Sequence, residues 1–118
     1  MYEILSELNK TQGIRGSMIV GEDGIIVAAE IGGEFEDDTV GALAASIIAS
    51  VKKALTRLHE GAMRQVMIEA DNGKIFLAEC PIGILVVLTG IDINIGLIRL
   101  EIKTALDNMR NVPVMSNQ

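Results

Sequence analysis

Residues 38–60 read DTVGALAASIIASVKKALTRLHE, and the placement of their apolar side chains decides what can be built around them. Val40, Leu43, Ile47, Val51, Ala54 and Leu58 recur at steps of three and four, the spacing of one helix face. That stripe is expected to face the protein's own sheet. A second apolar set, Ala44, Ile48 and Leu55, lies beside it, with Gly41, Ala42, Ala45, Ala49 and Ser50 between. No charge occurs from Thr39 to Val51. A helix that is apolar all round is buried on more than one side. Asp37 or Asp38 is expected to cap its start, where acids suit the helix dipole. Gly61 is expected to close it after Glu60 in the left-handed conformation.

Strand signals flank this helix. Upstream, residues 14–21 (IRGSMIVG) and 25–30 (IIVAAE) frame the turn Glu22-Asp23-Gly24, with positive φ expected at Gly24. Both runs are apolar on successive residues, which predicts burial on both sheet faces. Residues 2–10 place Ile4, Leu5 and Leu8 on one face of a short helix that must dock to persist. Downstream, residues 64–70 alternate, with Val66, Ile68 and Ala70 opposite Met67 and Glu69. Asp71-Asn72-Gly73 predicts a hairpin with positive φ at Asn-Gly, and residues 74–80 return. After Pro81-Ile82-Gly83, residues 84–89 (ILVVLT) are expected to be the central buried strand. Asp92 is expected to cap a last helix reaching about Val112, with Ile95, Ile98, Ile102, Ala105 and Met109 inward and Arg99, Lys103 and Asp107 in water.

The order is α-β-β-α-β-β-β-α. Hairpin-length connections make the five-stranded sheet antiparallel. Strands buried on both faces need helices on both, so the fold class is α/β (α+β), a three-layer α/β/α sandwich. One domain over residues 1–112 is expected, with 113–118 a flexible tail.

Composition narrows the function. The 118 residues are 49% hydrophobic with mean hydropathy +0.39, which argues against disorder. The apolar runs fall short of a bilayer span, and the N-terminus lacks a basic signal region, so no membrane insertion and a cytoplasmic location are expected. Cys80 alone permits no internal disulfide. Net charge is −6, and Tyr2, Phe35 and Phe76 are the aromatic residues, so phosphate neutralisation and base stacking both lack material. Nucleic acid is therefore not an expected partner. One His and one Cys leave little for acid–base or nucleophilic work, so no catalytic residue, cofactor or metal is expected.

Size points to a partner. Twenty-three helical residues span roughly 34 Å, whereas a six-residue strand spans roughly 20 Å. Part of the helix should overhang the sheet, with its Ala- and Gly-rich surface suited to close helix–helix contact. A second copy is the simplest cover. If the strand over 64–70 is an edge, two such edges related by a twofold would form one sheet, with the long helices side by side above the join. The alternative is a monomer whose small helix residues serve close approach to its own sheet. The dimer reading carries a mutational expectation: Ile48→Asp should split it.

In this order and spacing, GIRGSMIVGEDGIIVAAE, VGALAASIIASVKKALTRL and GILVVLTGIDINIGLIRLEIKTAL resemble the Roadblock / dynein light chain family over roughly residues 3–110. Gly16, Asp23-Gly24, Gly83 and Asn94-Ile95-Gly96-Leu97 carry the likeness. The resemblance implies a profilin/longin-like fold and dimers formed through the central helix and third strand. It also implies a role as a platform for small Ras-like GTPases, as a dynein light chain, or as a scaffold part. The expected dimer and partner surface is Val40, Leu43, Ala44, Ile47, Ile48, Val51, Lys52 and Leu55, with Met67 and Glu69 at the strand join. The expected function is a homodimeric, non-enzymatic module regulating a small GTPase. A scaffold subunit without GTPase contact and a small-molecule sensor are the alternatives.

Isolated reactive residues read conservatively. Cys80 is expected to be a buried strand-end thiol, and His59 a solvated side chain on a wet helix end. The stretch Gly90–Gly96 has neither the Lys nor the spacing of a phosphate loop and is read as a cap. Asn9-Lys10-Thr11 matches a glycosylation sequon without relevance in a cytosolic chain. Lys52-Lys53 is read as a solvated patch, and the six methionines as gap fillers.

Overall fold

A computed structural model describes residues 1–111; the expected tail lies outside the described residues. Eight elements follow the anticipated order: α1 (Tyr2–Asn9), β1 (Ile14–Val20), β2 (Ile26–Ile31), α2 (Asp37–Leu58), β3 (Gln65–Ala70), β4 (Gly73–Cys80), β5 (Gly83–Thr89) and α3 (Ile95–Asn111). The strands form one antiparallel sheet in the order β2-β1-β5-β4-β3. β5 is central, as its uninterrupted apolar run requires, and Ile84–Thr89 are all buried.

The sheet divides two apolar layers. Against one face pack Leu5 and Leu8 of α1 and Ile98, Ile102, Ala105 and Met109 of α3, over Ile19, Phe76, Leu85 and Val87. Against the other pack Ala44 and Ile48 of α2, over Met18, Val20, Leu77, Ile84 and Val86. Adjacent strand residues point to opposite faces, so β1 and β5 feed both layers. Asn9, part of the sequon, is a structural tie: its amide donates to the Glu30 carbonyl at 2.8 Å and accepts from the Ser17 hydroxyl at 2.7 Å.

Several local expectations are corrected. β2 is an edge strand with one fully buried residue, Ala28, so two-sided burial holds for β1 alone. Neither Asp37 nor Asp38 is the cap of α2; Glu36 is, and both aspartates sit in the first turn. Helix α3 begins after Asn94, whose side chain accepts the Leu97 N–H at 3.0 Å, so Asn94 and not Asp92 caps it. The β3–β4 hairpin has no positive φ at Asn72 or Gly73. Register pairs Ala70 with Gly73, leaving Asp71-Asn72 as the loop. Gly73 is required for space instead, because a Cβ there would stand 2.4 Å from the Thr89 carbonyl oxygen. Gly24 does take the expected positive φ, +88°.

Helix α2 ends two residues early, at Leu58, so the left-handed residue that closes it is His59 (φ 59°, ψ 37°); Gly61 does take a positive φ, +90°, but in the loop beyond the close. The His59 N–H donates to Thr56 O and the Glu60 N–H to Leu55 O, the paired bonds of a Schellman close. A Cβ in this conformation costs about 1 kcal/mol. His59→Gly is therefore expected to raise the melting temperature by about 4 °C, read by thermal denaturation.

Candidate functional site: the outer face of α2 and the β3 edge

Helix α2 turns a different stripe to the sheet from the one periodicity suggests. Gly41, Ala44 and Ile48 are its buried residues. Val40, Ala45, Ile47, Val51 and Leu55 are partly covered at the flanks, whereas Leu43 is 58% and Leu58 66% exposed. Backbone proximity explains the choice. A Cβ at Gly41 would lie 3.1 Å from the Gly24 carbonyl oxygen and 3.4 Å from a Val20 methyl. At the start of the helix, where this close approach occurs, small residues face the sheet and the bulkier Leu43 is turned out; Ile48, a turn further on, is accommodated in the core.

The ten residues expected at the interface therefore do not form one surface. Ala44 and Ile48, 3% and 2% exposed, are spent on the protein's own core and have no area left to offer. Leu43 is exposed, and Val40, Ile47, Val51 and Leu55 form its shoulders. Lys52 is not free in water: its ammonium donates to a Glu79 carboxylate oxygen at 2.7 Å and stands 3.9 Å from Glu22. The Glu79 hydrogen bond and charge raise the Lys52 pKa against the opposing effect of desolvation, and the Glu22 charge adds to the rise. The ammonium is thus charged across the neutral range and ties α2 to the ends of the sheet. Met67 and Glu69 lie on the sheet face away from α2. Met67 packs toward the α1/α3 layer, and Glu69 pairs with Lys74 at 3.5 Å.

Residues absent from that expectation complete the surface. α2 packs chiefly over β2, β1 and β5, leaving the neighbouring strip of β4 and β3 only partly roofed. Val66, Ile68 and Ile75 are half-exposed there. An apolar cleft of about 150 Å³ runs between α2 and this strip, walled by Phe35, Val40, Leu43, Ile47, Ile68 and Ile75. The alternation in 64–70 contained the signal, since Ile68 and Val66 occupy the opposite parity from Met67. β3 is the last strand of the sheet, so the backbone along its outer side is not engaged by a further strand. The apolar 18-residue window of α2 has a mean hydropathy of 1.3 and is only 17% buried, a length and composition that would also pass for a membrane span.

Chemistry is sparse. Among the described residues no three His, Cys, Asp or Glu side chains gather as a metal site would require. His59 is exposed. Cys80 is half-buried at the end of β4, and burial raises its thiol pKa against the lowering effect of hydrogen bonds from the Ile82 and Gly83 backbone. A raised pKa leaves less thiolate at neutral pH. Iodoacetamide is therefore expected to alkylate Cys80 several-fold more slowly in the native protein than after unfolding in urea, read by mass spectrometry.

A three-layer domain whose main surface feature is an uncovered apolar helix beside an open sheet edge belongs to the class of interaction domains. A model of the Roadblock/LC7 domain matches residues 1–89, and the chain belongs to that family. Two uncharacterized proteins of Methanocaldococcus jannaschii are 40% and 39% identical to it over 107 residues, covering 91% of this chain and 94% of each relative. Among solved structures, a Roadblock/LC7 domain from Streptomyces avermitilis superposes with a TM-score of 0.87 at 21% identity, covering 94% of this chain and 95% of that one. Myxococcus xanthus MglB gives 0.87 at 18%, covering 93% and 84%. A structure described as MglB with tetrameric arrangement gives 0.81 at 19%, covering 92% and 83%. The shared architecture extends to the five-stranded antiparallel sheet and all three helices.

Proposed function

We propose that this chain is a homodimeric, non-enzymatic module of the cytoplasm that binds a small Ras-like GTPase and biases its nucleotide state. The observation that carries the reading is the uncovered strip formed by Leu43, Ile47, Ile68 and Ile75 beside the open edge of β3. A second copy related by a twofold would pair β3 with β3 and lay its α2 alongside the first. That arrangement covers both cleft and edge at once and uses the isologous geometry common among homodimers. Family membership supports self-association and a GTPase-directed role, and the tetrameric arrangement described for MglB supports the former. The module would act by presenting paired helices that contact the switch loops of one nucleotide state better than those of the other; only such a difference in affinity shifts an equilibrium.

At this face a small molecule is the weaker reading, because the apolar cleft of about 150 Å³ falls below the roughly 300–1,000 Å³ of ligand pockets. Capture from native cells with the full chain as bait tests the partner, followed by GTP hydrolysis and exchange assays on any GTPase recovered. Altered rates support the regulator. A dimer that retains only non-GTPase components supports a scaffold subunit and overturns the GTPase reading.

A further inference from the structure

At the end of the sheet beside α3, a cleft of about 540 Å³ opens between that helix and the segment leading into β3. Its charge runs against that of the molecule. The chain carries −6 overall, yet this cleft is lined by four cationic side chains, Arg64, Arg99, Lys103 and Arg110, against two carboxylates. Both carboxylates are already engaged. Glu79 holds Lys52 at 2.7 Å, and Asp107 accepts from Arg110 at 2.9 Å with Lys103 at 3.6 Å. Arg64 and Arg99 make no ion pair among the described residues, and both are exposed. Between the cations, half-exposed Leu106 presents the apolar floor, with Met63 and Ile102 buried beneath it.

We propose that this cleft is a second docking surface, taking an acidic protein segment that alternates carboxylates with aliphatic side chains. The cations select the carboxylates and steer their approach, and the floor takes the aliphatic groups. A phosphate ligand fits less well, because the cations stand apart on exposed surface and none is a buried group aimed inward. A nucleotide base finds no aromatic side chain in the cleft on which to stack. The surface is carried mainly by α3, so it is separable from the α2 face on which the proposed dimer rests.

The probe is a fluorescein-labelled peptide alternating glutamate with leucine, titrated into the full chain and followed by fluorescence anisotropy. Saturable binding is expected, weakened by about 0.5 M salt through screening. The surface double variant R99E/K103E should bind about tenfold or more weakly, with an unchanged circular dichroism spectrum and unchanged mass in sedimentation. R99A/K103A should show a smaller loss and serves if charge reversal perturbs folding. A glutamate–serine peptide should bind about tenfold more weakly than the glutamate–leucine one, which reads the apolar floor. Absence of saturable binding to the parent, or equal affinity in parent and R99E/K103E, overturns the proposal. So does displacement of the peptide by inorganic triphosphate at lower concentration than the peptide itself needs, which would assign the cleft to phosphate.

Discussion

Leu43→Asp is expected to turn a dimer into a monomer without disturbing the fold. Leu43 is 58% exposed on the outer side of α2 and forms one wall of the apolar cleft. In the isolated chain the substitution exchanges one surface side chain for another, and its effect on folding should stay within about 0.5 kcal/mol. In the proposed dimer it places an unpaired carboxylate in each copy against dry surface, a cost of roughly 3–5 kcal/mol per buried unpaired charge. The dimer dissociation constant should rise by about two orders of magnitude or more. Sedimentation velocity across a concentration series reads the result. A parent protein that is monomeric at every concentration would remove the proposed interface, and a variant that keeps the dimer would move it off Leu43.

Ile48→Asp is expected to prevent folding altogether. Ile48 is five residues from Leu43, about 140° round the helix axis from it at about 100° per residue. It is 2% exposed, in contact with the layer of Met18, Val20, Ile84 and Val86. Burying a carboxylate there without a partner costs more than about 4 kcal/mol, comparable with the whole stability of a domain at about 5–15 kcal/mol. Loss of the folded circular dichroism spectrum is the expected reading. Ile48→Val should fold and lose about 1 kcal/mol in urea denaturation. A folded, monomeric Ile48→Asp would instead restore this residue to the interface and overturn the assignment of the two stripes. The pair of substitutions thus separates the helix face that holds the domain together from the face assigned to a second chain.

The core of the fold was legible because its determinants are local and strong. The hairpin at Gly24, the apolar run of β5, the inward stripe of α3 and the docking residues Leu5 and Leu8 of α1 each follow from periodicity and turn chemistry within a few residues. The closures of the helices were less legible. Asn94 and Asp92 are both good caps, and His59 takes a conformation usually reserved for Gly. Which candidate prevails depends on where the chain must turn to meet its neighbours.

The candidate site was legible in kind but not in register. A helix apolar on nearly every side must carry surplus greasy surface whichever way it is turned, so the amino-acid order of 38–60 by itself determined that α2 would exceed the needs of one core. It also determined the strand and helix order, the central place of β5 and the shortage of catalytic side chains. Only the tertiary structure decided which stripe is surplus. The closeness of α2 to the Gly24 turn and Val20 admits Gly41 and Ala44 and turns Leu43 away. The same packing placed the half-open strip of Ile68 and Ile75 beside Leu43 and gathered Arg64 with Arg99 and Lys103 across 35 residues of sequence or more. Spacing along one helix reports how many faces are apolar. Rotation about its axis is set by the depth of the surface it meets, which is a property of distant strands.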